Sequence, residues 1–137
     1  MTTILFACTH NAGRSQMAAA FFNQLAGAGA RGESAGTEPG PAVHPVVVAA
    51  MREKGIDLAG VVPRLLTAER AAEADVLVTM GCGETCPVVP GRRRIDWPLE
   101  DPKGLPIERV RAIRDDIERR VRALVAELGV RSDDDSG

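Results

Sequence analysis

The chain has 137 residues, 45% hydrophobic and 26% charged, which suits one domain around one core and excludes two full-sized domains. Seventeen Lys plus Arg against nineteen Asp plus Glu leave a net charge of -2, too balanced for nucleic acid or a membrane surface to be the expected partner; with no Tyr, one Trp and three Phe, there is no base-stacking surface either. No apolar run approaches a membrane span or a signal-peptide core, and the odd count of three cysteines reads as thiol chemistry in a reducing cytoplasm, not as a disulfide framework.

Ile4 to Ala7 is a short apolar run that ends at Cys8 and opens into the polar Thr9-His10-Asn11-Ala12-Gly13, the pattern of a strand feeding a loop. From Ser15 the segment SQMAAAFFNQLA is built of helix formers, with Ala18, Phe21, Phe22 and Leu25 on one face and Gly27 and Gly29 to stop it. Arg31 to Thr37 reads as a short strand, Gly36 to Pro41 as a turn cluster, and Pro45 to Lys54 as a second helix ended by Gly55. Thr67 is a candidate N-cap for a brief helix, and Asp75 to Met80 reads as a buried strand that Gly81-Cys82-Gly83-Glu84-Thr85-Cys86-Pro87 breaks. Arg94 to Leu99 fits an edge strand, because Pro98 has no N–H for a ladder. Ile107, Val110, Ile113 or Arg114, Ile117, Val121, Leu124 and Leu128 mark a long amphipathic helix over 107–128. Asp115 with Arg119, Asp116 with Arg120 and Glu118 with Arg122 are expected to pair on its solvated face. The tail RSDDDSG has nothing to bury, so the domain is expected to span 1–130 and 131–137 to be disordered.

Strands alternating with helices imply an α/β domain with a mainly parallel sheet. In such a sheet the ligand site lies beyond the carboxyl ends of the strands, where three candidate strands deliver Cys8, Cys82 and Asp101. Cys8-Thr9-His10-Asn11-Ala12-Gly13-Arg14-Ser15 sets a thiol and a guanidinium six positions apart across a loop that opens a helix. The helix start leaves N–H groups unpaired, a curled loop aims several of them into one concavity, and Arg14 adds a two-toothed fork; together they suit a tetrahedral oxyanion. The same positive field favours thiolate over thiol at Cys8, placing a nucleophile beneath its target. Asn11 and Gly13 suit unusual backbone angles, and the Gly-x4-Gly-Lys-Ser/Thr pattern of a nucleotide loop is absent.

This loop resembles the C-x5-R-S signature of low-molecular-weight protein tyrosine phosphatases and of the arsenate reductases built on their fold. The longer string Cys8 to Ala18, CTHNAGRSQMA, is more similar to the reductase branch. Thr79-Met80-Gly81-Cys82, Cys86-Pro87 and Asp96-Trp97-Pro98-Leu99-Glu100-Asp101-Pro102 resemble the later motifs in the same order, so the likeness covers nearly the whole chain. It implies a three-layer sandwich around a mainly parallel four-stranded sheet. It also implies Cys8 as nucleophile, Thr9 to Gly13 with Arg14 as the oxyanion cradle, Ser15 as support for the thiolate and Asp101 as general acid.

Cys82 and Cys86 stand four residues apart between glycines and a proline, close enough for a disulfide if the backbone unwinds a little. A phosphatase has no use for such a pair, whereas reducing arsenate takes two electrons, which one dithiol supplies on becoming a disulfide. Structural cysteines remain an alternative. Zinc is another, although three Cys with His10 and His44 give no recognisable four-ligand spacing and no metal or other cofactor is expected. The resemblance implies a Cys8 thiol-arsenate adduct, a Cys8 to Cys82 disulfide, and a Cys82 to Cys86 disulfide returned to dithiol by thioredoxin.

The Cys82 to Cys86 spacing is shorter than in the best-known thioredoxin-coupled members. Ala19 stands where some relatives carry a Glu that helps hold potassium, so no potassium site is carried over. Rival readings are a phosphatase on the same loop, against which stands Lys103 where phosphotyrosine readers commonly carry an aromatic; transfer of arsenate to mycothiol with a mycoredoxin completing reduction; and a non-catalytic oxyanion or arsenite binder. Phosphate and sulfate are expected competitors, and the protein reads as a monomer. His10 is a candidate either for touching substrate or for filling a polar loop position, His44 for helix entry or the surface, and Trp97 for a core anchor; Arg92-Arg93-Arg94 reads as a solvated charge run, with attraction of arsenate or a redox partner as its alternative.

Overall fold

The computed structural model describes residues 2–81 and 93–129. Along them lie β1 (Thr2–Cys8), α1 (Arg14–Leu25), β2 (Ala30–Gly36), α2 (Pro45–Arg52), α3 (Ala68–Glu73), β3 (Val76–Thr79), β4 (Arg93–Asp96) and α4 (Ile107–Leu128). The strands form a sheet in the order β2-β1-β3-β4 with every neighbouring pair parallel. Alternation along β1 splits the core in two. Ile4, Phe6 and Cys8 face the larger cluster, built with Met17, Phe21, Phe22, Val47 and Met51 of α1 and α2 and with Val110, Ile117 and Val121 of α4. Leu5 and Ala7 face a smaller one with Ala35, Leu66, Leu77 and Ala71 of α3. Helices therefore cover both faces, and the three-layer α/β sandwich is the observed fold.

Several expected elements form as read. Thr67 Oγ1 accepts from Arg70 N at 3.1 Å to cap α3, and Gly129 ends α4 in the left-handed conformation at φ 69°. Trp97 is buried with its ring centroid 5.9 Å from that of Phe6, anchoring the chain after β4. Helix α2 stops at Arg52, two residues short of the expected end, where the chain turns through Gly55 at φ 77°. The edge strand β4 ends at Asp96: Trp97 N still donates to Thr79 O at 2.8 Å, and Pro98 can extend the ladder no further.

The charged face of α4 departs from expectation at one pair. Asp116 with Arg120 and Glu118 with Arg122 form, but Arg119 reaches Asp116 and Asp115 turns to Arg114 instead. The reason is burial. Arg114 lies in the apolar stripe, where Nη1 donates to Ala50 O at 2.9 Å and Glu53 Oε1 at 2.6 Å, and Nε donates to Asp115 Oδ1 at 2.8 Å. Glu53 also accepts from Arg111, and hydrogen bonds from Arg111 and then Arg114 bring its pKa down from 4.5 to about 2. A carboxylate depressed in the folded state stabilises above its unfolded pKa and loses that contribution as pH falls toward the folded one. Glu53→Gln is accordingly expected to melt below the unaltered protein at pH 7, the gap closing between pH 4.5 and about 2; melting curves across that range check it.

Among the described residues no helix is long and apolar enough to cross a membrane, and no three His, Cys, Asp or Glu side chains gather as metal ligands.

Candidate active site

The site lies at the carboxyl ends of β1, β3 and β4, where the switch in strand order leaves a crevice. Cys8 is the last residue of β1 and is buried; Arg14 is the first of α1. Between them every carbonyl from Cys8 to Gly13 is taken from outside. Thr37 N donates to Cys8 O, Glu38 N to Thr9 O, Gly40 N to His10 O and His44 N to Ala12 O; Gln16 Nε2 donates to Asn11 O and Met17 N to Gly13 O. A trans peptide unit points its N–H opposite to its C=O, so a carbonyl bonded away from the loop's centre turns the following amide toward it. Asn11 N–H is seen doing so, donating to Cys8 Sγ at 3.3 Å. Gly13, the N-cap of α1, supplies no side-chain cap and the first turn holds no acid, which leaves the helix amides and dipole for an anion.

Asn11 takes the left-handed φ of 51° that the loop requires, and its side chain ties the loop to Ser15, Gln16 and Arg64. Its Oδ1 accepts from Arg64 N at 2.8 Å and from Gln16 Nε2 at 3.1 Å, so the other end is the amide, and Nδ2 donates to Ser15 Oγ at 2.8 Å. Ser15 Oγ in turn lies 2.9 Å from Cys8 Sγ, at hydrogen-bond distance. The sulfur thus lies against both the Ser15 hydroxyl and the Asn11 amide. Ser15→Ala removes one of them and is expected to slow alkylation of Cys8 at neutral pH by about tenfold, read by peptide mass spectrometry.

Arg14 is buried beside this loop. Its Nη1 donates to Leu99 O at 3.0 Å, and its Nη2 lies 3.8 Å from Asp101 Oδ2. Asp101 is partly exposed, its Oδ1 accepting from Lys103 N at 3.0 Å; the next residue, Pro102, packs against Gly13, where a Cβ would meet Pro102 Cγ at 2.7 Å. The carboxyl therefore stands beside the Arg14 guanidinium at the edge of the loop. Thr9 Oγ1 donates to Gly81 O at 3.5 Å, joining the loop to the end of β3.

His10 and His44 border a cleft of about 490 Å³ with Glu38, Val43 and Lys103, next to the loop. His10 Nδ1 donates to Glu38 O at 3.0 Å, bracing the loop. His44 caps the entry to α2, as its place before Pro45 suggests; burial lowers its pKa while Asp101 pulls the other way. The arginine run does not offer a free charged patch among the described residues: Arg93 pairs with Glu127 and Arg94 with Asp96. Cys82, Cys86 and Arg92 lie outside the described residues.

The structure thus gathers Cys8, the 9–13 loop, Arg14, Ser15 and Asp101 in one place. It adds Gln16, Arg64, Gly81 and the Leu99 carbonyl, which sequence reasoning missed. Gln16 sits five residues from Asn11 in a helix read only for its apolar face, and Arg64 comes from a segment with no periodic signal.

A cyanobacterial "Glutaredoxin arsenate reductase" from Synechocystis is 35% identical over 131 residues, covering 93% of this chain and 99% of that protein. An "Arsenate reductase" from Brevibacillus brevis is 35% identical over 130 residues, covering 93% and 96%. The solved structure of a thioredoxin-dependent arsenate reductase from Corynebacterium glutamicum superposes with a TM-score of 0.82 at 36% identity; it covers 94% of this chain, which spans only 62% of that one. Residues 3–133 match the family described as Low molecular weight phosphotyrosine protein phosphatase, and with the Cys8 to Ser15 loop and parallel sheet in place the chain belongs to that family.

Proposed function

We propose that the protein is a cytoplasmic, monomeric arsenate reductase, a single domain over 1–130, that uses Cys8, Cys82 and Cys86 in a disulfide relay. The observation that carries the reading is the sulfur of Cys8 accepting from Asn11 N and hydrogen-bonded with Ser15 Oγ at the uncapped start of α1, with Arg14 and Asp101 beside it, in a chain that holds a second thiol pair. The relatives named arsenate reductases support the choice of anion.

Arsenate enters the loop on the inward amides of residues 9–14 and the Arg14 fork. The Cys8 thiolate attacks arsenic, an S–As bond forms, and Asp101 gives a proton to the oxygen that leaves as water. The Cys82 thiolate then attacks Cys8 Sγ. The S–As bond breaks with its electron pair going to arsenic, which departs as arsenite at the three-plus level, and a Cys8 to Cys82 disulfide remains. Ser15 and Asn11 stabilise Cys8 sulfur each time it is an anion. Cys86 attacks Cys82 Sγ, frees Cys8 as thiolate and leaves a Cys82 to Cys86 disulfide for a dithiol protein to reduce. Thioredoxin is the donor favoured by the presence of both Cys82 and Cys86; mycothiol with a mycoredoxin needs only one protein thiol. Phosphate and sulfate, as tetrahedral anions, compete for the same loop.

The test is arsenate-dependent NADPH oxidation with thioredoxin and its reductase, set beside mycothiol with its own reducing system and beside hydrolysis of an aryl phosphate. Turnover with the thioredoxin pair supports the proposal; phosphate ester hydrolysis without arsenate reduction overturns it.

A further inference from the structure

The guanidinium of Arg14 rests where it does because one neighbour has no side chain. A Cβ on Gly81 would overlap Arg14 Nη1 and stand 3.1 Å from Cζ and 3.4 Å from Nη2, so the bare Cα leaves room for the Nη1 end of the fork. Nη1 itself donates to the Leu99 carbonyl at 3.0 Å, and Nη2 lies 3.8 Å from Asp101 Oδ2. Gly81 has φ 102°, a conformation L side chains rarely adopt, and its carbonyl accepts from Thr9 Oγ1 at 3.5 Å. Residue 81 thus meets the loop at both ends, through Thr9 and through Arg14, although neither strand nor helix requires it there. It also directly precedes Cys82 in the chain.

We infer that Gly81 is a positioning residue for anion binding: its missing side chain is the seat that holds the Arg14 fork facing the loop. The inference rests on the anion-loop reading above. A methyl at this point displaces the far end of a flexible side chain, not backbone, so the fold persists while the fork tilts away from the anion and loses its paired contacts. Backbone strain from the positive φ lowers stability separately and does not act through Arg14.

Phosphate is the probe, and its protection of Cys8 from alkylation, read at the Cys8 peptide by mass spectrometry, gives the dissociation constant. Four proteins are compared: unaltered, Gly81→Ala, Arg14→Lys, and the double variant. Gly81→Ala is expected to weaken phosphate binding by about 10- to 100-fold, the range for loss of a charge-assisted contact. In the Arg14→Lys background, where no fork occupies the seat, the same change is expected to matter by about twofold or less. Unchanged phosphate affinity in Gly81→Ala, or an equal loss in both backgrounds, overturns the inference and leaves the anion loop standing. No protection in the unaltered protein overturns the anion-loop reading and the inference with it. If Gly81→Ala does not fold, a folded double variant that binds as Arg14→Lys does supports the seat, and an unfolded one shows that the glycine serves the backbone alone.

Discussion

Cys8→Ser is expected to lower kcat/KM for arsenate by on the order of 10⁴-fold or more, the scale on which removal of a nucleophile is felt. Two losses combine. A serine hydroxyl in place of the thiolate is a poor nucleophile at neutral pH, and the Ser15 hydroxyl and Asn11 amide that suit a sulfur anion have nothing charged to stabilise. Even an ester formed with arsenate would go no further, because oxygen cannot take the place of sulfur in the Cys8 to Cys82 disulfide through which two electrons reach arsenic. The loop amides and Arg14 are untouched, so phosphate protection measured at another probe should persist. Steady-state assays check the prediction; turnover within about 100-fold of the unaltered protein would remove Cys8 from the nucleophile's role.

Arg14→Lys is expected to cost about 10²- to 10³-fold in kcat/KM, comparable to removing one designed anion contact at a reacting centre. The charge is kept, so the loss measures geometry. Arginine reaches Leu99 O and Asp101 with separate nitrogens while its Nη1 end lies close against Gly81, and its fork is planar; an ammonium is a single point with no fixed plane. The expected kinetic signature is a fall in kcat as well as a rise in KM, because the fork neutralises charge that builds on the oxyanion as sulfur attacks. An unchanged kcat would confine Arg14 to ground-state binding.

The loop and the elements around it were legible because their signals are local. A β1 run ending in Cys8, a polar turn and a block of helix formers needs no knowledge of the rest of the chain, and the same holds for the Thr67 cap and the α4 stripe. What was not legible depends on residues far apart in sequence. Asn11 Oδ1 meets Arg64 N across 53 positions, and Arg14 meets Leu99 across 85. Gly81 read as a break, since a glycine's role as empty space is defined by what fills it. The Asp115 to Arg119 pair failed for a related reason: helical spacing allows it, but Arg114, buried against α2 and Glu53, takes Asp115 first. Burial of one cation outweighed the small gain of an exposed pair.

The relay itself is tested most directly in Cys86→Ser. After one addition of arsenate to the reduced variant without any reductant, peptide mass spectrometry is expected to find a disulfide linking Cys8 to Cys82 and one equivalent of arsenite in solution, with no further turnover when thioredoxin and its reductase are supplied. Arsenite released without that bridge, or full thioredoxin-supported turnover in the variant, would contradict the account.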